Sequence, residues 1–178
     1  MLDLIIPGSE RFNEKTGEFI YIKEQKICLE HSLISLAKWE AKYEKPFLSS
    51  EKNDIEILDY IRFMTLTQNV DPQVYFGLTK ENVEAIKNYI SAPMTATKVS
   101  HPKRNSSRET VTAELIYYWM IALNIPFECQ KWHLNRLLKL IEVCSVKNEP
   151  PKKMSRSEIL QRNRELNAAR RAKYNTKG

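Results

Sequence analysis

Cys129 and His133 have the spacing of half a zinc site. They lie four residues apart, so on a helix they would share one face, where a thiolate and an imidazole could bind one metal ion. A zinc site needs three or four ligands, and no second pair in the chain has suitable spacing. We therefore expect a buried thiol beside a partly exposed imidazole at this position, with no metal and no cofactor.

The other histidines and the acidic pairs also favour structural roles. His31 stands at a predicted helix start and His101 in a predicted loop, and nothing near either supports a cysteine–histidine nucleophile. Acidic pairs such as Glu81 and Glu84, or Asp54 and Asp59, fall on predicted solvent faces, whereas acid–base catalysis needs a desolvated pair in a cleft. No catalytic residue is predicted, and we expect that the chain is not an enzyme.

Four aromatic residues could form a platform for stacked bases: Tyr117, Tyr118, Trp119 and Trp132. They lie on segments predicted to be buried helices, where aromatic side chains belong to the core more often than to a binding surface. We therefore expect all four in the core.

Glycine usage excludes two classes of nucleotide enzyme. The chain has only four glycines, and residues 78–177 contain none. A dinucleotide fingerprint needs three closely spaced glycines, and a phosphate-binding loop needs two with a following lysine. Neither pattern can be found in this chain.

Length and composition describe an ordinary globular chain. It has 178 residues, of which 42% are hydrophobic and 28% charged, so we expect one domain or one domain with a tail. The longest apolar run, Leu115–Leu123, is far shorter than the roughly 20 residues that cross a bilayer. The three cysteines are widely spaced and odd in number, which favours reduced thiols in a cytoplasm. No membrane partner and no signal peptide are predicted.

Strand-like residues are confined to the first 29 positions. Apolar or β-branched runs at Leu4–Ile6, Phe19–Ile22 and Lys26–Leu29 predict a small hairpin or a three-stranded sheet, with Gly17 in the turn between the first two runs. From His31 onward the apolar spacing becomes helical.

Capping residues predict where the first helices begin. Asn53 with Glu56 has the pattern of a capping box, Asp71–Pro72 predicts a short helical turn ending at Gly77, and Thr79 predicts another N-cap. The inward faces predicted for the helices before Pro93 are Leu33, Leu36, Ala37 and Trp39, then Ile57, Leu58, Ile61 and Met64, then Val83, Ile86 and Ile90.

Two longer helices are predicted beyond residue 108. Thr110–Ile125 is apolar on nearly all sides, which is typical of a helix buried in the middle of its domain. After Pro126 a regular helix is predicted to run to Glu149, with Leu137 and Leu138 facing the preceding helix. The fold class that follows is mainly α: a helical domain over residues 1–149, whose residues 1–29 form the β element, and a basic tail over residues 150–178.

Positive charge is concentrated in this tail. The whole chain has a formal charge of +6, but residues 152–178 carry nine basic side chains against two acidic ones, a net charge of +7. The first 151 residues are therefore close to neutral. Ser155 and Glu158 predict a capped helix to about Lys173, with too few apolar side chains to stay folded alone. The candidate interaction arm consists of Lys152, Lys153, Arg156, Arg162, Arg164, Arg170, Arg171 and Lys173.

Two stretches of the chain, with two shorter ones, resemble one known family. The main stretches are Leu115–Lys147, especially Tyr117–Met120 and Asn124–Leu138, and Asn163–Gly178, with Leu166–Lys173 and Asn175–Gly178. The shorter ones are Gln68–Pro72 and Pro93–Thr97. They resemble small proteins of long-tailed bacteriophages that belong to the tail-morphogenesis region. The resemblance extends over most of the chain from about Ile20 onward.

This resemblance implies a tail assembly chaperone or related morphogenesis factor. Such proteins are mostly helical, act in the bacterial host cytoplasm without catalysis, and bind the long tape-measure protein. They keep it soluble until tail tube subunits polymerise around it. A basic C-terminal arm is compatible with that role.

Two other functions stay open at this point. A structural virion component, such as a connector or completion protein, would be present in the mature particle, whereas a chaperone would be absent. A nucleic-acid-binding protein would use the tail on phosphates, and its affinity would fall steeply with salt.

Overall fold

In the computed structural model, the described part of the chain comprises residues 1–13, 17–98, 109–148 and 155–175. The chain divides into two compact units, Met1–Lys147 and Asn148–Gly178. The first unit is mainly helical with short strands at its start, which confirms the predicted fold class. Within the described ranges, no helix is both long and apolar enough to cross a membrane.

The first 29 residues form two antiparallel two-stranded sheets. β1 (Leu2–Ile6) pairs with β4 (Gln25–Leu29), and β2 (Ser9–Asn13) pairs with β3 (Glu18–Ile22). The predicted hairpin is present, but the prediction that Leu4–Ile6 is its first strand is wrong. β2 takes that place, and it is mostly polar, so hydrophobic periodicity does not indicate it.

A glycine lies where the two sheets approach the helical part of the unit. In β1, Leu4 and Ile6 are buried and belong to the core. Gly77 lies so close to both sheets that a Cβ there would be 3.1 Å from Ile6 Cγ2 and 3.3 Å from Ile22 Cγ2. Gly77 therefore allows a close approach that a larger residue would obstruct.

Two capped helices follow the sheets. α1 (Leu33–Tyr43) begins after the N-cap Ser32, and α2 (Asp54–Met64) begins with the predicted capping box of Asn53 and Glu56. The inward face predicted for α2 is only partly correct, because Ile61 and Met64 are buried while Ile57 is 41% exposed. Tyr60 takes the buried position that apolar spacing alone did not indicate.

The next two elements confirm the capping predictions. A 3₁₀ helix, Pro72–Gly77, begins where the Asp71 carboxylate accepts a hydrogen bond from the Gln73 amide. Thr79 then caps α3 (Lys80–Ser91), and Ile86 on this helix is buried as predicted.

Residues 109–131 differ from the sequence prediction. α4 (Ala113–Ala122) is held to α1 by Glu40, whose carboxylate oxygens accept from the amides of Ala113 at 2.7 Å and Phe47 at 2.6 Å. The prediction of a helix buried on all sides is wrong, because Tyr118 is 62% exposed. One face of α4 packs inward while the opposite face reaches solvent despite its apolar residues.

The predicted continuous helix after Pro126 is also wrong. A short 3₁₀ helix, Phe127–Lys131, comes first, and α5 (Leu134–Asn148) begins three residues later. The break occurs because the chain pairs with the start of α1: the Leu134 amide donates to the His31 carbonyl at 2.7 Å. Leu137 is fully buried on α5 and Leu138 is partly buried; the predicted end at Glu149 lies outside the described residues.

The second unit contains α6 (Arg156–Tyr174). The predicted capping box is present, because the Ser155 hydroxyl accepts from the Glu158 amide and the Glu158 carboxylate accepts from the Ser155 amide. The helix ends one residue beyond the predicted Lys173, at a C-cap Asn175 in the left-handed conformation with φ of 51°.

Candidate functional site

The predicted interaction arm lies largely on α6. This helix has no buried residue, and its apolar side chains Ile159, Leu160 and Leu166 are all about half exposed. Lys152 and Lys153 lie outside the described residues. The other arm residues belong to α6 and are exposed: Arg156, Arg162, Arg164, Arg170, Arg171 and Lys173.

The basic residues of α6 spread over a little more than half of the helix circumference, and Glu158 and Glu165 share the remaining face. At 3.6 residues per turn, Arg164 and Arg171 fall on one side, whereas Arg170 and Lys173 fall on another. With Glu158 and Glu165 as the acidic residues, α6 carries a net charge of +4. It can therefore present positive charge to a partner from several directions.

The structure separates the predicted metal pair. Cys129 lies in the 3₁₀ helix and His133 lies before α5, so they do not share a helix face. His133 uses both ring nitrogens: Nε2 bonds to the Tyr89 carbonyl at 3.0 Å, and Nδ1 accepts from the Asn135 amide at 3.3 Å. In the described part of the chain, no group of three acidic, histidine or cysteine side chains is placed to hold a metal ion.

His133 belongs instead to a buried polar cluster that the sequence analysis missed. Its ring lies edge to face with His31, with centroids 5.1 Å apart, and with Tyr89, with centroids 4.9 Å apart. His31 Nδ1 in turn bonds to the Tyr60 hydroxyl at 2.6 Å. His31 and His133 are both buried, and they bring together the starts of α1 and α5.

The histidine and tyrosine side chains of this cluster are uncharged at neutral pH. Burial, with a smaller contribution from nearby His133, lowers the pKa of His31 to about 3. Burial also lowers the pKa of His133, although its hydrogen bond to the Tyr89 carbonyl acts against this. Burial raises the pKa of the Tyr60 phenol, which therefore keeps its proton while its hydroxyl is hydrogen-bonded to His31 Nδ1.

A buried carboxylate completes the cluster. Glu30 is 8% exposed, and its Oε1 accepts from the Tyr89 hydroxyl at 2.7 Å. Its Oε2 lies 3.1 Å from the amino group of Met1. Burial and the Glu30 carboxylate raise the pKa of Tyr89, so the phenol remains a donor. Both oxygens of Glu30 thus have partners.

A cavity of about 650 Å³ opens beside this cluster. Glu30, Tyr89 and His133 reach its surface. Three exposed cations from three different elements also line it: Lys38 of α1, Lys131 of the second 3₁₀ helix and Arg136 of α5. The cavity therefore combines a hydrogen-bonded cluster, made of uncharged rings and one partnered carboxylate, with a positively charged rim.

The four aromatic residues predicted in the core have different environments. Tyr118 is 62% exposed, which contradicts the prediction, whereas Tyr117, Trp119 and Trp132 are partly buried against the core. Trp132 also lines the cavity, where the Arg136 guanidinium lies 4.2 Å from the centre of its ring.

No sequence signal identified this cavity. His31 and His133 lie about 100 residues apart, and no local pattern around His133 indicates that the two rings meet in a buried cluster. A hint was present in the consecutive polar residues Glu30, His31 and Ser32, which interrupt the apolar pattern between a strand and a helix. All three are buried.

No family model, curated protein or solved structure matches the chain.

Proposed function

We propose that this protein is a non-enzymatic binding factor of bacteriophage tail morphogenesis, which holds the tape-measure protein in the host cytoplasm until tail tube subunits assemble. The observation that carries this proposal is the exposure of all of α6 together with its net charge of +4. The identity of the partner comes from the family that the sequence resembles.

The physical properties of α6 suit binding to an acidic helical partner. A helix of 19 residues is about 28 Å long, which suffices to lie along several turns of another helix. Such a helix gains little stability from its own apolar side chains, so a partner that covers Ile159 and Leu166 would stabilise it. Its basic groups would speed association and fix the orientation of the partner.

Co-expression with the tape-measure protein of the same phage tests this proposal. We expect the full chain to keep the tape-measure protein in the soluble fraction and to co-purify with it. The triple variant Arg164→Gln, Arg170→Gln, Arg171→Gln should lose most of this effect. A matched control, Lys23→Gln, Lys80→Gln, Lys87→Gln, removes the same charge from exposed positions of the first unit and should retain it.

The outcome that contradicts the proposal is equally clear. If the tape-measure protein is equally soluble with and without the chain, or with both triple variants, α6 is not a chaperone arm. Presence of the chain in purified mature particles would favour the structural virion component. Retardation of DNA with a steep salt dependence, lost in the α6 variant alone, would favour nucleic acid as the partner.

A further inference from the structure

The cavity beside the buried histidines has no part in the proposed tail-assembly function. We propose that it is a binding site for a small organic anion with a flat or apolar body. Its volume of about 650 Å³ lies within the range of roughly 300–1,000 Å³ that is typical of small-molecule sites. Side chains from separate helices and from the segments between them converge on it.

Apolar side chains provide the walls against which the body of the ligand would pack. Ile34 comes from α1, Phe63 from α2, Leu66 from the segment after α2, and Met94 from the segment after α3. Leu66 and Met94 are 52% and 41% exposed. A ligand that covered them would remove apolar surface from water, which favours binding.

Electrostatics select an anion. Lys38, Lys131 and Arg136 line the cavity, and none of them forms an ion pair with an acidic side chain in the described part of the protein. Glu30 is the one carboxylate among the described lining residues, and Tyr89 and the amino group of Met1 already bond to it. The rim is left with an excess of positive charge.

The stacked pair of Arg136 and Trp132 favours a flat ligand. The guanidinium lies 4.2 Å from the centre of the indole ring, so the ring helps to orient its hydrogen-bond donors. A planar guanidinium binds a carboxylate, phosphate or sulfonate through two parallel hydrogen bonds. The exposed part of the indole provides a surface for an aromatic ligand.

The inner surface of the cavity favours binding without chemical conversion. His133 bonds to the Tyr89 carbonyl and to the Asn135 amide, so neither ring nitrogen is available for proton transfer to a ligand. The Tyr89 hydroxyl donates a hydrogen bond to Glu30 Oε1. These bonds keep the inner groups in fixed positions, while the cations at the rim remain available to the ligand.

Titration with 8-anilinonaphthalene-1-sulfonate tests this proposal on the full chain. This dye joins a flat apolar body to one anionic group, and its uncharged relative N-phenyl-1-naphthylamine has the same rings. By calorimetry and fluorescence we expect the sulfonate to bind at one saturable site per chain. The triple variant Lys38→Gln, Lys131→Gln, Arg136→Gln should weaken this binding about tenfold, since exposed charge pairs contribute little individually.

Two controls separate the site from general surface effects. The variant Lys23→Gln, Lys80→Gln, Lys87→Gln removes the same charge elsewhere and should bind the sulfonate like the wild type. The α6 variant Arg164→Gln, Arg170→Gln, Arg171→Gln should also leave this binding unchanged, so the result is independent of the proposed tail-assembly role. Circular dichroism checks that each variant is folded.

Three results would overturn the proposal: no saturable binding of the sulfonate, equal affinity in the rim variant and the wild type, or equal affinity for the sulfonate and its uncharged relative. Any of them would show that the positive rim does not select an anion. Loss of sulfonate affinity in the rim variant alone, with binding of the uncharged relative unchanged, is the expected result.

Discussion

The edge of one imidazole ring meets the face of another where His31 and His133 touch, with centroids 5.1 Å apart and ring planes at 69°. His31 lies in the three-residue link between β4 and α1, and His133 precedes α5. Because both rings are buried and neutral, protonation of either would place an unpaired charge in the core.

Acid should destabilise the protein through His31. Its pKa is about 3 in the folded chain, against an ordinary value of 6.5. Between these values the unfolded chain binds a proton that the folded chain excludes, so the free energy of unfolding falls as the pH falls, by about 1.4 kcal/mol per pH unit. Urea unfolding at pH 7 and pH 5.5 should show this dependence, and His31→Gln should reduce it. An unchanged pH dependence in the variant would contradict the assignment.

Tyr89→Phe should destabilise the protein by about 1–3 kcal/mol, because Glu30 Oε1 loses its donor while remaining buried. Tyr118→Phe removes the same atom from an exposed ring and should change the free energy of unfolding by less than about 0.5 kcal/mol. Denaturant unfolding of both variants measures the difference. Equal effects would mean that the Glu30–Tyr89 bond is not stabilising.

Glu40→Ala should lower the stability of the first unit more than most single substitutions. It leaves the amides of Phe47 and Ala113 without their acceptor, and each buried donor without a partner costs about 1–3 kcal/mol. Glu84→Ala on the exposed side of α3 is the matched control and should have little effect. Thermal unfolding compares the two, and similar melting temperatures would refute the role given to Glu40.

Leu137→Ala should lower stability by about 2–5 kcal/mol, because the side chain is fully buried and its removal leaves a cavity. Leu166→Ala makes the same change on α6, where the side chain is 45% exposed. It should alter the stability of the first unit by no more than about 0.5 kcal/mol. If the two variants unfold alike, the assignment of the buried face of α5 is wrong.

Truncation after Pro151 should leave the melting temperature of the first unit within about one or two degrees of the full chain, as surface changes usually do. The removed segment carries a net charge of +7, so binding to the tape-measure protein should weaken and depend less on salt. Aggregation of the truncated chain would show that the tail supports the fold. Unchanged binding at every salt concentration would show that the tape-measure protein binds to the first unit instead.

Local signals predicted most of the helix starts. Asn53, Thr79 and Ser155 all cap helices where the sequence placed them, because a capping side chain bonds to amides only a few residues away. Predictions that depended on distant contacts were less successful. The predicted helix is interrupted before α5 because this segment pairs with residues near His31. No local pattern around Trp132 indicates that contact.

The contrast between local signals and distant contacts also applies to the two candidate sites. The charge of the α6 arm is a property of consecutive residues and could be read directly from the sequence. Lys38 and Arg136 both line the cavity, although their helices lie far apart in the sequence, so the site forms only when the chain folds. Sequence reasoning identified Cys129 and His133 by their spacing, whereas the fold gives His133 a different partner in His31.

The hydrogen bond from the Leu134 amide to the His31 carbonyl also joins two segments that the ribosome synthesises at different times. α1 emerges first, but the Leu134 amide that bonds just before its start belongs to α5 and is synthesised about 100 residues later. At about 5–20 residues per second, that interval lasts roughly 5 to 20 s. During this time Leu33 and Leu36, both fully buried in the finished protein, belong to a core that still lacks Leu134 and Leu137, so the nascent chain exposes apolar surface that the complete fold buries.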